Sequence, residues 1–284
     1  MQMNKRKQVM GWCCFALSVI LFLFQGLYLI LHLRWRVEYA DNRLFYLMTI
    51  FIVVCATVAL IVLMDLKKNG KSLLLVIAIV IILLHGVLSF RHSRAVRELV
   101  SLSPDWKTYF VLKQDRLSGK TDYYRPYYGP FVQAKVTLPF SMKGDAKIKW
   151  IEDDIVAATY HAEDGSIHQF IGTFGDRGQG SSYTNVALSI QGTWKGEDFI
   201  LTSTTEGLTV KHGDEVERFS WENIVQFGTL AVVLTENDEA RWTVALGGDF
   251  ISHENDPAPP SGSIYLYEAI DGSTEPVPLT LSSP

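Results

Sequence analysis

Three long apolar runs fill the first third of the chain, and an alternation of apolar and polar positions with a period of two takes over after Trp106. Met10 to Leu33, Leu44 to Met64 and Ser72 to Phe90 contain no Asp, Glu, Lys or Arg. At about 1.5 Å per helical residue each run matches the roughly 30 Å hydrocarbon core of a bilayer. Every backbone amide inside lipid must be satisfied within its own helix. Three spanning helices at 10–33, 44–64 and 72–90 are therefore predicted. Lys5, Arg6 and Lys7 before the first run resemble the start of a signal peptide. The run is too long for one, lacks a small-residue cleavage site, and ends in Leu33-Arg34-Trp35-Arg36, an interfacial anchor. It is expected to be retained. Adjacent Cys13 and Cys14 lie ahead of most of the apolar stretch, which argues against lipoprotein processing.

Beyond Phe90, the spacing of Val96, Leu99 and Val100 predicts that the third helix continues as a juxtamembrane stalk over 91–104, ended by Pro104. Residues 105–270 then read as a water-soluble β domain of short β-branched and aromatic runs. The turn pairs Ser118-Gly119, Asp164-Gly165, His212-Gly213 and Asn237-Asp238 separate these runs. The fold class is thus membrane α plus soluble all-β, with an antiparallel, meander-rich domain built as a sandwich, an open barrel or propeller-like blades. The propeller alternative rests on an internal echo: Trp150-Ile151-Glu152-Asp153-Asp154-Ile155-Val156 resembles Trp194-Lys195-Gly196-Glu197-Asp198-Phe199-Ile200 at a 44-residue offset. A polar, proline-rich loop follows at 253–262. Prolines at 276, 278 and 284 suggest a flexible tail over 271–284.

Charge changes the picture of the partners. Residues 1–100 hold 12 Lys/Arg against 4 Asp/Glu, and residues 101–284 hold 14 against 26. A strand-rich part so acidic is unsuited to nucleic acid, which selects clustered Lys and Arg. The lipid bilayer is the first partner, and a second envelope or membrane protein is the expected further one. Lys5, Arg6, Lys7, Lys67, Lys68 and Lys71 lie on one side of the bilayer, and Arg34, Arg36, Arg43, Arg91, Arg94 and Arg97 on the other. The near tie is broken by the N-terminal cluster (1–9) and the tight Lys67–Lys71 turn. They place the N-terminus in the cytoplasm and the β domain outside a cell membrane that the chain crosses several times. All three cysteines fall in the apolar third, so the β domain has no disulfide and no cysteine-ligated metal.

Candidate chemistry is sparse, and no cofactor is implied. A two-residue turn at Asp164-Gly165 would set His161 opposite His168, where two imidazoles beside Glu163 could hold a divalent metal or respond to pH. The plainer reading leaves both on a wet face. The stretch Gly172–Tyr183 could wrap an anion or present Asp176, Arg177 and Tyr183 in a cleft; as a simple inter-strand loop it would be held by an Asp176–Arg177 pair. Tyr124 and Tyr127, in the run Tyr123–Phe131, offer a recognition platform or packing. Gln25 beside Gly26 and His85 beside Gly86 are the notable polar positions within the spans. They would serve a conduction path or hydrogen-bond across helices where glycine allows close approach. No Gly-x-Ser-x-Gly elbow occurs. The sequence thus favours a membrane-anchored interaction or sensory module. A metal-assisted or acid–base hydrolase and a small transporter or transporter subunit stand as alternatives.

Overall fold

The computed structural model describes residues 5–175, 177, 185–252, 259–269 and 274–283. It divides into two compact units, one formed by residues up to Val100 with Val111–Thr137, the other by Ser101–Phe110 with the residues from Leu138 onward.

In the first unit the apolar runs form α1 (Lys5–Trp35), α2 (Arg43–Leu63) and α3 (Lys68–Ala95). All three are long and apolar enough to cross a membrane. Ile20, Phe22, Leu23, Leu33 and Leu83 stand exposed on them, a surface that suits lipid and would be costly in water. Gly11 admits α2 closely, since a Cβ there would lie 2.9 Å from Leu63 and Val62 side-chain atoms. Around the helix ends lies a five-stranded antiparallel sheet, ordered β1-β5-β4-β3-β2. Its strands are β1 (Val37–Tyr39), β2 (Val96–Leu102), β3 (Tyr109–Asp115), β4 (Thr121–Pro126) and β5 (Phe131–Thr137). β1 lies in the connection between the first two helices and pairs with β5, Glu38 opposite Val132.

Two expectations change here. The stalk is helical only to Ala95: Val96 turns to extended backbone and 96–102 is strand. The spacing of Val96, Leu99 and Val100 suits either state, and a strand partner decides it, aided by the β preference of valine. The β region also does not begin afresh at 105, because Val111–Thr137 belongs to the same compact unit as the helices.

The second unit contains, among the described residues, a three-stranded sheet of β6 (Met142–Glu152), β7 (Ile155–Ala162) and β8 (Ile167–Thr173). A short helix, α4 (Val186–Ser189), leads into β9 (Gly192–Gly196), β10 (Phe199–Thr204), β11 (Gly207–His212), β12 (Glu215–Ser220), β13 (Ile224–Phe227), β14 (Ala231–Glu236), β15 (Glu239–Leu246), β16 (Ser263–Glu268) and β17 (Val277–Ser283). These nine strands form one nearly closed, barrel-like antiparallel sheet, ordered β12-β11-β10-β9-β17-β16-β15-β14-β13. Its interior is filled by Trp194, Leu201, Val210, Val232, Leu234, Val244 and Leu279. The opposite face of β14 and β15 carries Ala231, Val233 and Ala245, which pack with Ile155, Ala157 and Ile171 of the three-stranded sheet. Burial on both faces explains why Ala231-Val232-Val233-Leu234 is continuously apolar instead of alternating.

The echo motifs are both tight hairpins, with Trp150 opposite Val156 and Trp194 opposite Leu201. They lie in different sheets, so the repeat does not build propeller blades. Asn237-Asp238 is the predicted two-residue turn, both residues at positive φ. His212 pairs with Glu215, so that turn is Gly213-Asp214, one residue later than predicted. Ser118-Gly119 lies in a five-residue connection between β3 and β4 rather than a two-residue turn. The flexible tail is corrected for its described part: Val277–Ser283 is an interior strand, hydrogen-bonded to β9 on one side and β16 on the other. Pro278 lies opposite Tyr265 of β16, ahead of the pairing with β9 that begins at Thr280 opposite Lys195, and the next residue, Leu279, is fully buried and supplies the packing.

Candidate functional site

The first unit holds a charge network at the end of its helices that comprises the C-termini of α1 and α3 and the N-terminus of α2. Lys113 closes the apolar run Tyr109-Phe110-Val111-Leu112 of β3, and its side chain is only 5% exposed. A buried ammonium must find acceptors. Its Nζ donates to Glu38 Oε2 at 2.7 Å, the Tyr39 carbonyl at 2.7 Å and Asn42 Oδ1 at 3.0 Å, and lies 4.8 Å from the Tyr124 ring centre. Glu98, whose side chain is likewise 5% exposed, lies 3.9 Å from the same ammonium and accepts from the Asn42 backbone N–H at 2.9 Å. His92, in the last turn of α3, places Nε2 3.4 Å from Glu98 Oε1. Tyr124 donates to Glu38 Oε1 at 3.3 Å.

Burial of Glu38 opposes its ionisation, but the Lys113 charge and hydrogen bonds from Lys113, Asn42 and Tyr124 outweigh burial and hold the carboxyl below its ordinary range. Burial pushes the Tyr39 hydroxyl up to about 12 and raises that of Tyr124 as well. Glu38 is thus a fixed anion and the two tyrosines are neutral donors at physiological pH.

Against this network opens a partly enclosed cleft of about 210 Å³. Tyr28 and His32 of α1, Glu38 of β1, Asn42, Phe45 and Tyr46 at the start of α2, and His92 of α3 form its walls. Beneath them Tyr28 packs on Tyr39, ring centres 4.3 Å apart, and on Phe131, which stacks on Phe24 at 5.5 Å. The chain after Trp35 therefore folds back along α1. Tyr39 OH reaches Gln25 Oε1 at 3.2 Å, and Gln25 Nε2 donates to the Phe45 carbonyl at 3.1 Å. Gln25 thereby joins α1, α2 and β1. Gly26 and Gly86 have open space where a Cβ would stand, so neither serves close helix approach. His85 bonds within its own helix, Nδ1 to the Ile81 carbonyl at 3.0 Å.

Of the other sequence candidates, Tyr124 belongs to this network and Tyr127 is exposed, edge-to-face with Tyr128. Asp176 and Tyr183 lie outside the described residues. Arg177 makes a two-pronged pair with Asp154, at 2.7 and 2.6 Å, and donates to the Leu246 and Gly247 carbonyls. Its partner is thus a turn residue of the β6–β7 hairpin.

The histidine register is corrected. His161 opposes Ile167, and His168 opposes Tyr160. The loop has three residues, 163–165, closed by Ala162 N–H to the Ser166 carbonyl with Gly165 at positive φ. One residue of slip sends the two rings to opposite faces. His161 is exposed, whereas His168 is buried, stacked on Phe140 at 3.7 Å, with Nε2 2.7 Å from Ser166 Oγ. Burial lowers the affinity of His168 for its proton, with Asp164 acting in the opposite sense. Ser166 Oγ also lies 2.5 Å from Asp164 Oδ1, so serine stands between the acid and the imidazole. A nucleophilic triad needs the imidazole in the middle.

The cleft residues escaped the sequence reading because His32 and Tyr46 fall at the ends of apolar runs read as spans, Glu38 and Asn42 in the connection between them, and His92 in the stretch read as a stalk. A signal existed in Lys113, a lone charge ending an apolar strand, which requires a buried anion elsewhere. Comparison of the chain with known protein-family models found no match, and no curated protein compared with it matched.

Proposed function

We propose that this chain is a recognition protein of the cell membrane, an interaction or sensory module whose ligand enters the cleft at the helix ends of the first unit. The N-terminus is cytoplasmic and the strand-rich part extracytoplasmic. One observation carries the reading: a single cavity draws its walls from α1, β1, α2 and α3 and backs onto the Lys113 network. An occupant would contact all three membrane helices at once. Any difference in its affinity between two packings of those helices would shift their populations, which is the physical requirement for sensing.

The test uses the full chain in nanodiscs of the host membrane's own lipids. Denaturing extraction and mass spectrometry should recover a compound in stoichiometric amount from the wild type and little from Tyr46→Leu. Identical recovery from both would overturn the cleft as the recognition site. Sidedness is read separately in a cysteine-free background. A membrane-impermeant maleimide on intact cells should label Leu117→Cys, at a position 98% exposed, and should label Lys5→Cys only after lysis. The reverse pattern would overturn the extracytoplasmic placement.

A further inference from the structure

The chemistry of the cleft wall selects among ligands, and it selects by charge. Glu38 contributes a carboxylate. His32 Nδ1 lies 2.9 Å from the Val37 carbonyl, which can only accept, so the neutral ring must carry its proton there and leave Nε2 as an acceptor. His92 directs Nε2 to the Glu98 carboxylate, so its neutral form carries the proton there and leaves Nδ1 as an acceptor. With both rings in the neutral form the wall offers a carboxylate and two imidazole lone pairs, with the aromatic residues Tyr28, Phe45 and Tyr46 around them. Acceptors and π faces together are what an alkylammonium needs: its N–H groups bond to the acceptors and its charge rests against the rings.

The helix ends act in the same sense. His32 and His92 stand in the last turns of α1 and α3, whose C-termini carry partial negative charge. The positive N-terminus of α2 is already satisfied, since the Asn42 N–H bonds Glu98 and the Arg43 N–H bonds Asp41 Oδ1 at 2.9 Å. An internal precedent lies behind the wall. The Lys113 ammonium occupies the buried side of the same Glu38 carboxylate, using carboxylate, carbonyl, amide oxygen and a tyrosine ring.

We infer that the cleft binds a small primary ammonium, of the size of an ethanolammonium group, held by Glu38, His32 and His92 within the aromatic wall. The inference rests on the recognition reading above and names the ligand class for it. A primary ammonium supplies three N–H donors for the three acceptors; a quaternary one supplies none. The source is either a phospholipid headgroup reaching the helix ends or a free amine.

The experiment follows unfolding of the full chain in phosphatidylglycerol nanodiscs during titration with ethanolammonium chloride, tetramethylammonium chloride or ethylene glycol. Ethanolammonium should raise the midpoint saturably, tetramethylammonium should do so more weakly, and ethylene glycol should have no effect. His92→Leu and Tyr46→Leu should each weaken the ethanolammonium response about tenfold, the effect of losing one charge-assisted contact. The wild type provides a check independent of folding in the variants. Imidazole ¹⁵N resonances of His32 and His92 should move on titration, and those of the exposed His161 and His212 should not. Nanodiscs containing phosphatidylethanolamine identify the source: a raised midpoint with no further response to free ethanolammonium assigns the lipid headgroup, and an unchanged response assigns a free amine. Failure of ethanolammonium to move either the midpoint or the two resonances overturns the inference. Recovery of a cleft-dependent compound lacking an ammonium group overturns it while leaving the recognition reading intact.

Discussion

Replacing Lys113 with Met removes the cation on which Glu38 and Glu98 both depend while preserving most of the side-chain volume. Lys113 and Glu98 side chains are each 5% exposed and Glu38 is 26% exposed, so water can compensate little of the loss. At an effective dielectric of about 20 the attraction of one pair near 4 Å is about 4 kcal/mol. Breaking a buried pair from one side generally costs about 3–5 kcal/mol, because the orphaned charge remains in place. Lys113→Met should therefore destabilise the first unit by about that amount at neutral pH. The added change Glu38→Gln should restore a substantial part, since it removes one of the orphaned charges. Reversible unfolding of the full chain in mixed micelles, read by helical circular dichroism, reports this unit because α1, α2 and α3 belong to it.

The pH dependence has a fixed sign. Glu38 has a folded-state value below its ordinary 4.5, so in the wild type its contribution is full above about 4.5 and is lost as pH falls through the lower folded value. In Lys113→Met the cation is gone and burial dominates, so protonation relieves the variant. The gap between the two proteins should narrow toward and below pH 4.5. A variant within about 0.5 kcal/mol of wild type at neutral pH would refute the reasoning.

Three further outcomes are expected. Deleting residues 274–284 should abolish the protease resistance of the second unit, because β17 bonds β9 and β16 and buries Leu279; unchanged resistance would show that the strand is dispensable. His168→Ala should destabilise that unit by about 1–3 kcal/mol through lost packing, and His161→Ala by no more than about 0.5 kcal/mol; since the folded-state value of His168 lies below 6.5, its contribution is present above pH 6.5 and falls as pH drops through that folded value, a slope that His168→Phe should remove. Gly172→Ala should cost about 1–3 kcal/mol by overpacking, as its Cβ would lie 2.8 Å from a Phe110 ring carbon; a neutral effect in calorimetry would show that the ring can move away.

Long-period signals were the legible part of this chain. Uncharged runs gave the three helices, and alternation after Trp106 gave the antiparallel sheets, because solvent contact alone dictates those patterns. Where two elements compete for the same short segment, pattern is insufficient: Val96–Leu102 satisfies helical spacing and yet becomes a strand once partnered. Turn length is equally hidden. Asp164-Gly165 reads as a two-residue turn, but Gly165 serves as the positive-φ residue of a three-residue loop, and that single residue separates His161 from His168. The cleft was least legible of all. Its residues come from positions 28 to 92, and the network behind it draws on Glu98, Lys113 and Tyr124. Tyr28, His32, Phe45 and Tyr46 read as parts of membrane spans and the charged residues as isolated surface charges, and only tertiary structure brings Lys113 to Glu38.

The central claim, that the cleft is where this protein meets its ligand, is tested most directly by photochemistry in intact cells. p-Azidophenylalanine would replace Tyr46 on the cleft wall and, as a control, Tyr128, which is 75% exposed outside it. Ultraviolet capture followed by peptide mass spectrometry should yield one defined adduct mass at position 46 that is absent at position 128. The same heterogeneous products at both positions, or no adduct at 46, would contradict the account.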